Sequence, residues 1–171
     1  AEYTTQRLLI GARGNGTGYQ QTYNGQMSDV RVYNTTLSSD EIVEIYNEKK
    51  NKFRPLPQLT SNNLVGHWKL NDGIGTNTVV SNVFDYSISR NHGEFSGNPT
   101  WTSTAHGAVL DFDVSDDYIN LGNPSLLDFN GKTNITVSVW FNTDVLPGSV
   151  SYPRIVHARG SNHNYIIALD G

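Results

Sequence analysis

Asn134-Ile135-Thr136-Val137-Ser138-Val139-Trp140-Phe141-Asn142 alternates between two sets of side chains. Ile135, Val137, Val139 and Phe141 fall on one face of an extended chain, and Thr136, Ser138 and Trp140 on the other, the period of a half-buried strand. The same texture extends outward. Val109–Phe112 and Tyr118–Leu121 read as strands separated by an acidic turn, and Arg154–Ala158 and Tyr165–Leu169 follow. Leu64–Leu70, carrying Trp68, is another strand, bounded by the turn Asn71-Asp72-Gly73. Asn91-His92-Gly93 marks a further turn. Towards the beginning, Arg7–Ile10 and Met27–Tyr33 are strands, and in the latter Val30 and Val32 alternate with Asp29, Arg31 and Tyr33. Short strands at this spacing, joined by polar turns, predict a sandwich or jelly roll.

One helix interrupts the pattern. Ser38 is a natural N-cap, and Glu41 three residues on completes a capping box. Asp40 and Glu41 suit the positive end of the helix dipole. Ile42, Ile45 and Tyr46 define an apolar face, with Leu37 as a staple before the cap. The spacing predicts a helix over about 39–50. Arg54-Pro55-Leu56-Pro57 stops it, and with Ser61-Asn62-Asn63 reads as a linker over 55–63.

Composition agrees with an all-β reading. The 171 residues are 36% hydrophobic and 16% charged, with nine Tyr, six Phe and three Trp to build a core. Net charge is −4, and Lys49, Lys50 and Lys52 form a basic cluster where a helix end is solvated, so nothing points to nucleic acid. The absence of Cys excludes disulfides, thiolate zinc sites and cysteine nucleophiles. No apolar run is long enough to span a bilayer. With no signal peptide and an initial Ala, the chain reads as processed or as a segment of something longer.

Tyr23 through Asn34, continuing Thr-Thr-Leu-Ser-Ser-Asp-Glu-Ile to Tyr46, resembles the closing strand and helix of the laminin G-like family, within the concanavalin A-like jelly-roll superfamily. Leu64–Gly73, then Asp85, Ser87 and Asn91-His92-Gly93, then Gly107–Phe112, Asp116–Ile119 and Ile135–Trp140 resemble that family's opening strands. The order departs from the family: the end comes first, and the family's middle strands are missing. Two organisations follow. In the first, favoured by the Pro-rich linker, 1–54 closes one laminin G-like sandwich, 55–63 is a linker and 64–171 opens the next in a tandem repeat. In the second, 1–171 is one circularly permuted sandwich.

The resemblance implies an all-β, concanavalin A-like/laminin G-like jelly-roll β-sandwich with one short helix. It also implies a non-enzymatic recognition or adhesion module, lectin-like, binding a glycan or a surface protein through sandwich-rim loops. Such a module is expected to be extracellular, on a cell or virion surface, with self-association between neighbouring copies and no membrane insertion. The alternative is a structural repeat unit of an extracellular fibre, filament or virion capsid. Calcium is the ion the resemblance suggests: Asn164 falls where rim-site members carry Asp, and Asp29, Asp72 and Asp111 are candidates for a back site. Ser28 stands where the family often has a second Asp.

The residues carry their own indications. Tyr19, Tyr23 and Tyr152, on Gly- or Pro-rich loops, are candidates to stack on a sugar, and His157 is placed to face a groove. Trp68, Trp101 and Trp140 match packed positions of the family. The five Glu are 2, 41, 44, 48 and 94, three of them on the helix, which does not suit the paired carboxylates of a glycoside hydrolase. His67, His92, His106, His157 and His163 form no compact ligand set. Asn15, Asn34 and Asn134 open glycosylation sequons.

Overall fold

The computed structural model describes residues 7–14, 19–50, 63–73, 81–105, 107–113, 115–129, 132–144, 153–159 and 164–169. The expected linker at 55–63 lies outside them, except for Asn63. The strands are β1 (Arg7–Ile10), β2 (Arg13–Gly14), β3 (Tyr19–Gln20), β4 (Gly25–Tyr33), β5 (Leu64–Trp68), β6 (Asn82–Val83), β7 (Gly93–Ser96), β8 (Thr100–Thr104), β9 (Gly107–Phe112), β10 (Tyr118–Asn120), β11 (Thr136–Thr143), β12 (Arg154–Arg159) and β13 (Asn164–Ala168). The helix is α1 (Ser39–Lys50).

Their pairing is antiparallel throughout, and the fold is an all-β sandwich with one short helix. One sheet runs β13-β12-β1-β10-β7-β6, the other β11-β4-β9-β8 with β5 also on β4, and β2 and β3 form a small separate ribbon. β1 lies between β10 and β12, and β4 between β11 on one side and β9 and β5 on the other. Strands from before and after residues 51–62 therefore hydrogen-bond to one another in both sheets. Leu8, Ile10, Met27, Val30, Trp68, Leu110, Phe112, Ile119 and Val156 meet in the core between them. Each such side chain stabilises the fold by roughly 1.5–3 kcal/mol.

β4 holds an irregularity that the alternation does not announce. From Ser138 to Trp140 on β11, the paired residues on β4 run from Arg31 to Ser28, so β4 carries one extra residue. Asp29 sits there with φ 56°, a left-handed conformation rare for a residue with a Cβ. The bulge lets Met27, Val30 and Val32 all face the core and turns Asp29 and Arg31 outward, towards α1. Arg31 donates from Nε and Nη2 to Asp29 at 3.0–3.2 Å and pairs through Nη1 with Glu48 of α1 at 2.6 Å. His67 of β5 closes the set, with Nε2 2.8 Å from Asp29. Burial alone would lower the Arg31 pKa, but Glu48 and Asp29 outweigh it and hold the guanidinium charged more firmly than usual.

The capping box forms as the sequence predicts. The Glu41 N–H donates to Ser38 Oγ, and the Ser38 N–H and Oγ–H both donate to Glu41 Oε2. These bonds lower the Glu41 pKa. The apolar face differs from expectation. Ile45 is buried with Leu37 and Tyr33, but Ile42 and Tyr46 are 53% and 47% exposed, because the helix rests on the sheet along one narrow line. Tyr46 stacks on Trp140, ring centroids 5.5 Å apart. Trp140 thus lies on the outer face and not in the core, as its parity with Thr136 and Ser138 requires. Trp68 is fully buried with Nε1 donating to the Asn91 carbonyl, and Trp101 is half-buried against Phe95.

The turn read from Asp85, Ser87 and Asn91 is organised by one buried carboxylate. Asp85 accepts from the backbone N–H groups of His67, Ser87 and Asn91 and from Ser87 Oγ. His92 Nδ1 accepts the Asp85 N–H, which gives that histidine a structural task.

Candidate functional site

After β1 the chain leaves the sheet at Gly11 and returns at Tyr23. Gly11 has φ 92°, and a Cβ there would stand 2.9 Å from the Phe112 ring, so glycine is required on both counts. The Gly11 N–H donates to the Ile155 carbonyl at 3.0 Å, and the Tyr23 N–H donates to the Gly11 carbonyl at 2.7 Å. These bonds fix the base of a loop at the rim of the sandwich. β2 and β3 form its body, with Arg13 opposite Gln20 and Gly14 opposite Tyr19.

Gln21 follows β3 at φ 55°, another left-handed residue with a side chain. Its carbonyl accepts the Arg154 N–H at 3.0 Å, which ties the loop to β12. Its side-chain Oε1 accepts from Arg13 Nη1 at 3.1 Å and from Arg154 Nε and Nη2 at 3.2 and 3.1 Å. One neutral amide oxygen, with two lone pairs, thus serves three N–H groups from two cations. All three side chains are half-buried. Among the described residues, no Asp or Glu forms an ion pair with either arginine. The Arg154 pKa is lowered, first by burial and then by the nearby Arg13 charge.

Of the stacking candidates, Tyr23 is not on the exposed surface. It is fully buried, edge-on to Phe112, and its hydroxyl pKa is raised by burial first and then by Asp144. The reason is the backbone bond to Gly11, which folds Tyr23 under the loop. His157 is likewise buried, opposite Leu9 across the β12–β1 pairing. Tyr19 is placed by its backbone in β3, while its side chain, like that of Asn164 in β13, is outside the described atoms. Tyr152 lies outside the described residues.

The calcium candidates do not gather at one point. Asp29 is engaged by Arg31 and His67. Asp72 accepts the Phe84 N–H and the Tyr86 hydroxyl. Asp111, on β9, has its pKa raised by burial and then by Asp144. Among the described residues, the one set of three ligand atoms within 4.8 Å of one another is Asp113, Asp116 and Asp117. Its oxygen-only chemistry is the kind Ca²⁺ takes. These carboxylates also order their own turn: Asp117 accepts the N–H groups of Asn98 and Asp113, and Asp113 accepts those of Ser115 and Asp116. Asn34 and Asn134 are exposed, but the Thr136 hydroxyl of the second sequon is engaged by the Thr35 carbonyl and the Leu37 N–H.

Comparison with protein-family models, with curated proteins and with solved structures finds no match to this chain. The arginine pair was not singled out by sequence reasoning. The available signal was local: Arg13 precedes Gly14 and Arg154 follows Pro153, each within a few residues in sequence of a tyrosine.

Proposed function

We propose that this chain is a non-enzymatic recognition module of a cell or virion surface, a laminin G-like jelly roll in permuted order, that binds a glycan or a surface protein through its rim. The observation that carries this reading is the convergence of Arg13, Gln21 and Arg154 on a loop anchored at its base. A rigid sandwich that presents polar groups from an anchored loop suits recognition. The strand pairing across 51–62 supports the single permuted sandwich over the tandem arrangement. The engagement of Glu48 by Arg31 and of Asp29 by Arg31 and His67 favours structural roles for the most buried carboxylates near the helix.

A glycan array probed with the intact chain and with R13Q tests the proposal. Binding that R13Q weakens is the expected result. No glycan or surface-protein binding, together with ordered self-association, overturns it in favour of a structural repeat unit. Hydrolysis of a polysaccharide by the chain overturns the non-enzymatic part.

A further inference from the structure

We infer that Arg13 and Arg154 form a carboxylate site, and that its ligand is an acidic sugar of the uronic-acid kind. The sugar assignment rests on the recognition role proposed above; the carboxylate site rests on the geometry alone.

Gln21 Oε1 marks where an oxygen acceptor sits between the two guanidinium groups. A neutral oxygen placed there is a weak partner. The guanidinium bonds to Gln21 are already charge-assisted on the donor side, but only an anionic acceptor adds the charge–charge attraction and the bidentate geometry that arginine makes with carboxylates. A carboxylate brings the missing negative charge and two oxygens with about four lone-pair sites, against the two of the amide oxygen. Each guanidinium retains N–H groups beyond those directed at Gln21, and these are the donors for the incoming acid.

The surroundings explain how the pair persists with no acid among the described residues paired to it. The Arg154 N–H to the Gln21 carbonyl and the Gly11 and Tyr23 bonds hold the backbone on both sides, so the two cations are kept close by the fold. Half-burial lowers the effective dielectric around the pair, so its charge is felt more strongly by a ligand than that of a fully solvated arginine. Such preorganisation reduces the ordering cost of binding. The Gln21 amide adds neutral N–H donors beside the charged pair. A charged acceptor flanked by neutral hydroxyls, as on an acidic pyranose, matches that set better than a lone carboxylate on a flexible side chain.

Isothermal titration with oligogalacturonate, with neutral oligogalactose and with poly-glutamate tests the inference. Oligogalacturonate is expected to bind, more weakly as sodium chloride rises, and the neutral oligomer roughly tenfold or more weakly. R13Q and R154Q are each expected to cost the acidic oligomer roughly tenfold or more, with R13K partly restoring it. Thermal melts identify variants that remain folded, and R13Q, on the short ribbon, carries the test where R154Q unfolds. Poly-glutamate binding that R13Q abolishes, with no oligogalacturonate binding, overturns the sugar and the glycan half of the proposed function together. Neutral oligosaccharide binding that neither variant touches overturns the carboxylate site and leaves the recognition role standing. Equal binding of acidic and neutral oligomers, or no binding of any of the three probes, overturns the inference outright.

Discussion

Arg31 and the pair Arg13–Arg154 place the same cation in opposite circumstances. Arg31 is buried, 7% exposed in its side chain, with Asp29 on one side and Glu48 on the other. Arg13 and Arg154 are half-buried and share one uncharged oxygen. Desolvating a cation is costly unless acids surround it, and around Arg31 they do. At the rim no described acid plays that part, and solvent or a ligand has to complete the arrangement. Charge satisfied within the fold holds the helix to the sheet; charge left unmatched at the rim is available to something else.

The comparison breaks most visibly at Arg31. R31A leaves Asp29 buried without its main partner, and the fold is expected to lose about 3–5 kcal/mol in urea denaturation. Replacing Asp29, Arg31 and Glu48 together by apolar residues of similar size is expected to cost less than R31A alone, because no charge is then stranded. Next in size is the cap of the helix that brings Glu48 to Arg31. S38A removes both bonds of the Ser38 hydroxyl with Glu41, leaving only the Ser38 N–H on that carboxylate, and is expected to cost about 1 kcal/mol by the same measurement.

At the rim the expected stability effects are smaller. R13Q relieves like-charge repulsion while losing a bond, so its net effect on stability is expected to stay within about 1 kcal/mol. An R13Q loss comparable to that of R31A would remove the distinction between the two regions. The smallest effect concerns Asp111. Its pKa is raised in the fold by burial and by Asp144, so folding favours the protonated form. The stability this contributes is full below the ordinary carboxylate range and is lost as pH rises through the raised value. D111N is therefore expected to raise the unfolding free energy slightly at pH 7, by no more than about 0.5 kcal/mol in urea denaturation, and to give no gain at pH 3. A gain that is larger at pH 3 would contradict this account.

Much of the fold is legible in the sequence because its signals are local. The alternation at 134–142, the box at Ser38–Glu41 and the turn from Asp85 to Gly93 each lie within a few residues of what they specify. The bulge at Asp29 is not legible, because a left-handed aspartate carries no mark until Met27 and Val30 are both seen to face the core. The family resemblance puts Trp140 among packed positions, although its parity with Thr136 and Ser138 already places it on the outer face. Tyr23 reads as a loop residue, and only the bond to Gly11 brings it under the rim. The arginine site is the least legible feature. Gln21 and Arg154 are 133 residues apart, and no periodicity spans that separation.

That separation also governs the time at which the fold can form. β1 and β4 lie inside their sheets, yet each precedes every strand it pairs with. Thr143, at the end of β11, bonds the Asn24 carbonyl across 119 residues. At a synthesis rate of about 5–20 residues per second, β4 waits on the order of 5–20 s for β11 to be made. During that interval the edge of β4 that β11 covers stands open, even after β5 and β9 have been made for the other edge, in a molecule whose long-range pairings already slow folding. The strands that finish at the centre of this sandwich are the ones a nascent chain must shelter longest.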